Sequence, residues 1–335
     1  MLNTDPQPPV GFPAGGFFTR RGMRGKGTGT VACQQAAINH RRMTTPSHLP
    51  YHLGCPVWAC PGWVGTLFSS TDRKKWLPEY SSVFNTVEGN STFYGLPSPD
   101  TVKRWGESVQ DGFQFCLKFP RAISHEKRLV ECGAETDAFI ELLEILDRNG
   151  TAGPSFLQLP PTFAASESEA LADYLRDLPA TFPWSVEVRH QDWFDKSKNE
   201  SALDGLLREL TIDRTLFDSR PLFSRPPTDE SERESQRRKP KSPHRTTVTG
   251  PRPMLRLVGR NQIDQATPWV EEWAPIMAEW ISIGKKPFVF AHAPDDTFAP
   301  DFARRIHQEL QKHRELPQLP AISAEKESSR QATLF

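Results

Sequence analysis

The 335-residue chain carries 41 Lys and Arg residues against 41 Asp and Glu residues, so its formal net charge is zero and no bulk attraction to nucleic acid or to an anionic membrane is expected. The length allows one large domain or two ordinary ones. Five cysteines without a Cys-x-x-Cys pair, and no apolar stretch of about 18 residues, favour a cytoplasmic protein over a secreted or membrane protein.

The first 50 residues are rich in Gly, Pro, Arg and Thr, and they lack the periodic apolar positions of a helix or strand. A segment of this composition buries too little apolar surface to offset the entropy of ordering. We therefore predict a disordered basic extension over residues 1–50.

Short apolar runs then alternate with segments of helical spacing. One apolar helix stripe runs from Phe139 to Leu146, and this helix is expected to end near Asn149. The alternation predicts an α/β fold, and residues 51–315 fit a single-domain (β/α)8 barrel of the TIM type. An open doubly wound sheet is the alternative, because local patterns do not reveal closure. The candidate strands lie near residues 51–54, 84–88, 113–118, 155–159, 184–188, 214–218, 253–258 and 287–291.

A charged insertion interrupts this alternation at about residues 224–253, where acidic residues precede a basic run from Arg237 to Arg245. Such a charge run is usually a solvated face. The insertion nevertheless leaves from the C-terminal end of the sixth predicted strand, so a basic lid over an anionic ligand is the alternative. Residues 316–335 are predicted to form a flexible tail.

Polar side chains recur where the predicted strands end. In an eight-stranded α/β barrel, the C-terminal ends of the strands carry the catalytic and binding residues. We therefore expect these side chains to surround one cavity at a single rim. The candidates are Glu88 and Asn90, Lys118, Gln158, Glu187 with Arg189 and His190, Asp218, Arg256 and His292.

Five segments join strand ends to these polar residues, namely Val87-Glu88-Gly89-Asn90-Ser91-Thr92-Phe93-Tyr94, Phe115-Cys116-Leu117-Lys118-Phe119-Pro120, Leu157-Gln158-Leu159-Pro160-Pro161, Val186-Glu187-Val188-Arg189-His190 and Asp218-Ser219-Arg220-Pro221. In this order they resemble the YecE-like family, domain of unknown function 72. The resemblance runs from about residue 51 to the C-terminus and implies a TIM-type barrel, in agreement with the strand pattern. It implies no established reaction.

Glu88 and Glu187 are the candidates for general acid and general base. Two carboxylates perform these roles if burial raises the pKa of one while the other stays ionised. Glycoside hydrolysis uses such a pair. The alternative is that each carboxylate forms a structural ion pair with Lys118, Arg189 or Arg256.

Lys118 closes an apolar strand, where burial beside other cations would lower its pKa and permit Schiff-base or general-base chemistry. We favour a simpler role, in which Lys118 holds a phosphate or carboxylate with Arg189 and Arg256. His190 is a candidate proton carrier, with capping of a loop as the alternative. The side chains expected to contact the ligand are Asn90, Gln158, Asp218, His292 and the aromatic Tyr94 and Trp58, for which packing at the barrel top is the alternative.

A divalent cation is an alternative that the sequence leaves open. Carboxylate-rich sites suit Mg²⁺ or Mn²⁺, and such a site would use Glu88, Glu187, Asp218 and His292. No metal-ligand spacing supports it, so we favour metal-free chemistry.

These observations predict an enzyme that acts on a small polar substrate, anionic or sugar-like, as a hydrolase, lyase or isomerase. A second hypothesis comes from Gln331, Leu334 and Phe335, which resemble the Gln-x-x-Leu-Phe peptide that docks bacterial proteins on the replication sliding clamp. It implies a DNA-associated barrel, either a binding module or a phosphodiester-processing enzyme, with the basic residues on phosphates. A chance match or docking of the tail onto its own barrel is the alternative.

Overall fold

The computed structural model describes residues 49–321. The predicted extension therefore lies outside the described residues except for its last two positions, and so do residues 322–335 of the predicted tail. The clamp-like residues Gln331, Leu334 and Phe335 also lie outside them.

Eight short strands confirm the eight apolar runs predicted from the sequence. All of them pair in parallel, and their residues are almost entirely buried, as expected for strands that are covered on both faces. The strands are β1 (His52–Gly54), β2 (Thr86–Gly89), β3 (Gln114–Leu117), β4 (Ser155–Gln158), β5 (Trp184–Glu187), β6 (Asp213–Asp218), β7 (Met254–Val258) and β8 (Phe288–His292).

The strands form a curled six-stranded sheet in the order β1-β8-β7-β6-β5-β4 and a separate two-stranded sheet, β2-β3. The consecutive order lacks the reversal of a doubly wound sheet. Isolated backbone hydrogen bonds join the two sheets at both seams. The Glu88 N–H donates to the Cys55 carbonyl oxygen at 3.1 Å, and the Phe115 N–H donates to the Thr151 carbonyl oxygen at 2.8 Å. The described strands therefore form a half-barrel and a parallel pair, rather than the single continuous eight-stranded sheet predicted.

Among the described residues, seven α-helices connect the strands and an eighth follows β8. The predicted stripe is confirmed in α3, because Phe139 and Leu146 are both buried, and this helix ends at Arg148 before Gly150 turns the chain at a φ of 68°. Among the described residues no helix is both long and apolar enough to span a membrane. The helices are α1 (Arg73–Ser81), α2 (Pro99–Ser108), α3 (Gly133–Arg148), α4 (Ser168–Asp177), α5 (Lys198–Glu209), α6 (Glu230–Arg238), α7 (Thr267–Ser282) and α8 (Ala299–Gln311).

Helix α6 lies within the charged insertion at residues 224–253, which interrupts the predicted alternation of strands and helices. This helix lacks an apolar stripe, so hydrophobic periodicity does not reveal it. Its charges support it instead: the Asp229 carboxylate accepts from the Glu232 N–H at 2.9 Å at the N-terminus, and Arg237 and Arg238 occupy the last turn. This arrangement complements the helix dipole at both ends.

A buried ion pair attaches α6 to the chain segment that follows β7. Arg260 Nε donates to Glu232 Oε1 at 3.1 Å, and Arg260 Nη2 donates to Glu232 Oε2. The same carboxylate accepts from the Thr228 N–H at 2.8 Å and from the Asn261 N–H at 3.2 Å. Both charged residues are fully buried, so this contact fixes the position of the insertion.

Candidate functional site

Arg256 of β7 lies at the centre of a cluster of charged side chains. Its Nε and Nη2 donate to Oε2 and Oε1 of Glu88 at 2.8 and 2.6 Å, and its Nη1 donates to Oε2 of Glu187. The two carboxylates come from β2 and β5, far apart in the chain. A bidentate pair with one and a hydrogen bond to the other hold the guanidinium in a fixed orientation.

Further hydrogen bonds fix the Glu88 carboxylate. Asn90 Nδ2 donates to Glu88 Oε1 at 2.7 Å and to the Pro56 carbonyl oxygen at 3.0 Å. His292 Nε2 lies 3.1 Å from Glu88 Oε2. Burial lowers the pKa of His292 to about 4, although the charge of Glu88 opposes this shift. The imidazole is therefore neutral at physiological pH, and its Nε2–H donates to the carboxylate.

Glu187 is held from its other side by Arg189. Arg189 Nε donates to Glu187 Oε1 at 2.8 Å, and Arg189 Nη2 donates to Gln158 Oε1 at 2.8 Å. Gln158 and Glu187 are register partners at the ends of β4 and β5, which places both side chains within reach of one arginine.

Both carboxylates remain ionised. Burial by itself would raise the pKa of Glu88, but the charge of Arg256 and the hydrogen bonds from Arg256 and His292 hold it well below the usual range. Burial likewise opposes ionisation of Glu187, yet Arg256 and Arg189 lower its pKa to about 2. The raised pKa required of a general acid is found at neither residue, and the structural ion-pair alternative describes their contacts.

Lys118, one residue past β3, is a buried amine without a carboxylate partner. Its Nζ lies 3.8 Å from the centre of the Phe93 ring, and within residues 49–321 it forms neither an ion pair nor a hydrogen bond. Burial first, and then the charges of Arg256 and Arg189, lower the pKa of Lys118 to about 7, although Glu187 opposes the shift. The amine is therefore close to half protonated at neutral pH.

Lys239, immediately after α6, is a second amine without a carboxylate partner, and its side chain is half-buried. Burial and the nearby Arg256 lower the pKa of Lys239 to about 8, with Glu88 and Asp296 on the opposing side. In the part of the chain that the structure describes, its Nζ has no ion-pair or hydrogen-bond partner. Lys239 was not singled out from the sequence. The only indication in the sequence was its position in the basic run that follows the sixth predicted strand.

A cavity of about 520 Å³ opens between the strand ends and α6. Glu88 and Glu187 are fully buried beneath it and balance the charges of Arg256 and Arg189. The two lysines and Asp296 are the charged residues of its lining that have no ion-pair partner among the described residues. Predicted residues that line the cavity are Asn90, Tyr94, Lys118, Gln158, Arg189, Arg256 and His292, and residues not predicted that line it include Ser231, Glu234, Ser235, Arg238, Lys239 and Asp296.

Besides Glu88 and Glu187, three further predicted residues do not line this cavity. The carboxylate of Asp218 accepts from Trp273 Nε1 at 2.8 Å and pairs with Arg220, so it is directed toward α7. His190 caps a short helical turn by accepting from the Asp192 N–H at 3.2 Å, which is the alternative role considered above.

The third, Trp58, packs its ring edge against Trp105, with ring centres 4.9 Å apart. Position at a strand end did not distinguish these side chains from those that face the cavity.

Within residues 49–321, no group of three or more His, Cys, Asp and Glu side chains is placed to hold a metal ion.

The side chains of the basic run in the insertion contact different partners. Only Arg238 and Lys239 line the cavity. Arg237 pairs with Glu234 of the same helix, and Arg245 Nε donates to Glu200 Oε1 of α5 at 2.6 Å. Arg245 therefore has a structural role in joining the insertion to α5.

Comparisons with known proteins agree on one family. A model for the family described as "Protein of unknown function DUF72" matches residues 52–327. UPF0759 protein YecE of Escherichia coli K12 is 36% identical over 273 residues, which are 82% of this chain and 96% of that protein. UPF0759 protein YunF of Bacillus subtilis is 26% identical over 145 residues, covering 42% of this chain and 51% of that protein.

Solved structures show the same fold. A DUF72 family protein of Thermotoga maritima aligns with a TM-score of 0.59 at 19% identity, covering 78% of this chain and 99% of that one. A DUF72 family protein of Enterococcus faecalis aligns with a TM-score of 0.59 at 18% identity, covering 78% of this chain and 95% of that one.

Proposed function

Since this chain belongs to the YecE-like DUF72 family, a family defined without a reaction, we propose from its site that it is an enzyme that binds a small anionic polar compound and transfers a proton. One observation carries the proposal: Lys118 and Lys239 line one cavity, and within residues 49–321 neither amine has an acidic partner. A buried amine without a counter-charge is costly to the fold. An anionic group of a ligand would supply the missing partner for both.

The proposal assigns different roles to the charged side chains. Lys118 supplies a neutral amine for the reaction, because a pKa of about 7 leaves about half of it unprotonated near neutral pH. Lys239 and Arg189 hold the anionic group, and Arg189 Nη1 has no partner among the described residues. Glu88 and Glu187 keep Arg256 in place. This distribution of roles suits an isomerase or lyase better than a glycoside hydrolase, whose acid needs a raised pKa.

We also propose that the two sheets close into one (β/α)8 barrel. The seam hydrogen bond from the Glu88 N–H to the Cys55 carbonyl supports closure on one side. On the other side, the Phe119 N–H donates to the Phe156 carbonyl at 3.1 Å. In such a barrel, the cavity would lie at the C-terminal rim, where barrel enzymes place their active sites.

Anion binding should depend on both lysines and on pH. Inorganic phosphate, malonate and glucose 6-phosphate are titrated in thermal-shift and calorimetric experiments. At least one of these anions should stabilise the protein, by about 2.7 kcal/mol at 100 times its dissociation constant. Lys118→Met and Lys239→Met should each weaken that anion at least about tenfold. Affinity should fall between about pH 6 and pH 9, because the two ammonium groups lose their protons in that interval.

The control is Lys103→Met, an exposed lysine on α2 that pairs with Glu107. It should leave anion binding unchanged. If the three variants bind the anion equally well, or if no anion in the series stabilises the wild type, the proposal is wrong.

Lys118→Met should also make the unliganded protein more stable. The substitution removes a buried amine that lacks an acidic partner and replaces it with an apolar chain of similar length. We expect a gain of about 1–2 kcal/mol at neutral pH after loss of the contact with Phe93.

The sign of the pH dependence follows from the lowered pKa of Lys118. The unfolded chain binds a proton at this lysine up to its ordinary pKa of 10.5, whereas the folded chain releases it near 7. Wild-type stability should therefore gain a contribution as pH rises from about 7 toward 10, and the variant should lack it. Urea unfolding at several pH values measures this difference. A less stable variant at all pH values would contradict the prediction.

A further inference from the structure

The backbone of Lys118 is fixed from both sides. Its N–H donates to the Gly89 carbonyl oxygen at 3.1 Å, and its carbonyl oxygen accepts from Thr92 Oγ1 at 2.6 Å. The side chain then lies over the Phe93 ring. Two contacts therefore fix the Lys118 backbone and the third places its amine over the Phe93 ring before any ligand arrives, which is a form of pre-organisation for covalent catalysis.

The surroundings of Lys118 leave its nitrogen available as a nucleophile. A lysine becomes reactive when burial or another cation favours the neutral amine. Both conditions hold here, because burial and the charges of Arg256 and Arg189 act together on Lys118. Within residues 49–321 no carboxylate accepts a hydrogen bond from its Nζ.

We propose that Lys118 condenses with the carbonyl group of an anionic aldehyde or ketone and forms an imine. This inference rests on the proposed function, since the same cavity would hold the anionic group of the substrate. The Lys118 nitrogen attacks the carbonyl carbon to give a carbinolamine, which loses water to give the imine. The two hydrogens of the neutral amine leave with the carbonyl oxygen as that water, and no oxidant or reductant is needed.

Lys239 is the acid for the loss of water. It lines the same cavity and, with a pKa of about 8, is mostly an ammonium at neutral pH. It lends a proton to the departing hydroxyl group and regains one from the carbinolamine nitrogen, so its own charge is unchanged at the end. Glu88 and Glu187 do not fill this role, because both remain ionised.

Reductive trapping tests the inference on the full chain. The protein is incubated with glyoxylate and sodium cyanoborohydride, and the reduced adduct is located by peptide mass spectrometry. At neutral pH the adduct should form at Lys118 more than about tenfold faster than at the exposed Lys103, because an ordinary lysine is almost fully protonated there. The rate at Lys118 should level off above about pH 7.

Lys118→Arg separates covalent chemistry from anion binding, because it keeps a positive charge and removes the nucleophile. Stabilisation by the anion should persist in this variant while the adduct disappears. If wild-type Lys118 reacts no faster than Lys103, the imine inference is wrong. If an anion still stabilises the wild-type protein in that case, the proposed function is not contradicted. If anion stabilisation and adduct are both absent, both proposals fail. Mapping the wild type gives this answer even if the variant does not fold.

Discussion

Replacing Arg256 with methionine should destabilise the protein by about 3–5 kcal/mol at neutral pH, because the change leaves two buried carboxylates without their shared cation. Glu88 and Glu187 are both fully buried, and Arg256 makes the hydrogen bonds that keep them ionised. Arg189 and His292 would remain, but His292 is neutral at physiological pH. Urea or thermal unfolding of the purified variant measures the loss.

The destabilisation should depend on pH in a defined direction. In the wild type, the lowered pKa values of Glu88 and Glu187 stabilise the fold above their ordinary pKa of 4.5, and this contribution is lost as pH falls toward about 2. Without Arg256, burial would raise the pKa of Glu88, whose remaining partner His292 is neutral, so the variant should become less stable as pH rises.

Adding Glu88→Gln and Glu187→Gln to Arg256→Met should recover part of the loss, because two buried charges are removed. If Arg256→Met lowers the free energy of unfolding by less than about 1 kcal/mol and does not change its pH dependence, then water enters the cluster and screens its charges.

Glu232→Gln should destabilise the protein by about 3–5 kcal/mol and weaken anion binding, although Glu232 does not line the cavity. The substitution leaves Arg260 charged and fully buried opposite a neutral amide. It also loosens α6, whose C-terminal end positions Lys239. Unfolding experiments and anion titrations on the same variant separate the two effects.

The matched control is Glu230→Gln in the same helix, because this glutamate is exposed and pairs only with the exposed Arg233. It should change stability by less than about 0.5 kcal/mol. Adding Arg260→Met to Glu232→Gln should restore part of the stability but not the anion affinity. Equal losses in the two single variants would contradict a special role for the buried pair.

The strand ends were predictable because parallel strands place their C-termini at one edge and short buried runs mark where each strand stops. This reasoning found Glu88, Gln158, Glu187 and Arg256, which meet in one cluster. It did not reveal that one arginine would bind both glutamates, since that depends on the distance across the sheets. Closure of the sheet also depends on such long-range geometry.

Other failures have local causes. Asp218 stands at the end of β6, but its carboxylate accepts a hydrogen bond from Trp273, a partner 55 positions away that no local pattern indicates. Lys239 was not predicted individually because its neighbours in the sequence are also basic. The sequence does not show which side chain of a basic run faces the cavity. Helix α6 was missed because charges rather than apolar periodicity support it.

Lys239 and the buried cluster around Arg256 come from different parts of the chain. The framework that holds Arg256 comes from the strands, whereas one of the two unpartnered amines comes from a surface insertion anchored through Glu232 and Arg260. If Lys239 binds the anion as we propose, an exchange of residues 224–253 would replace that contact while the strand residues stayed as they are. The choice of ligand would then change with the insertion alone, and the buried charge network would be retained.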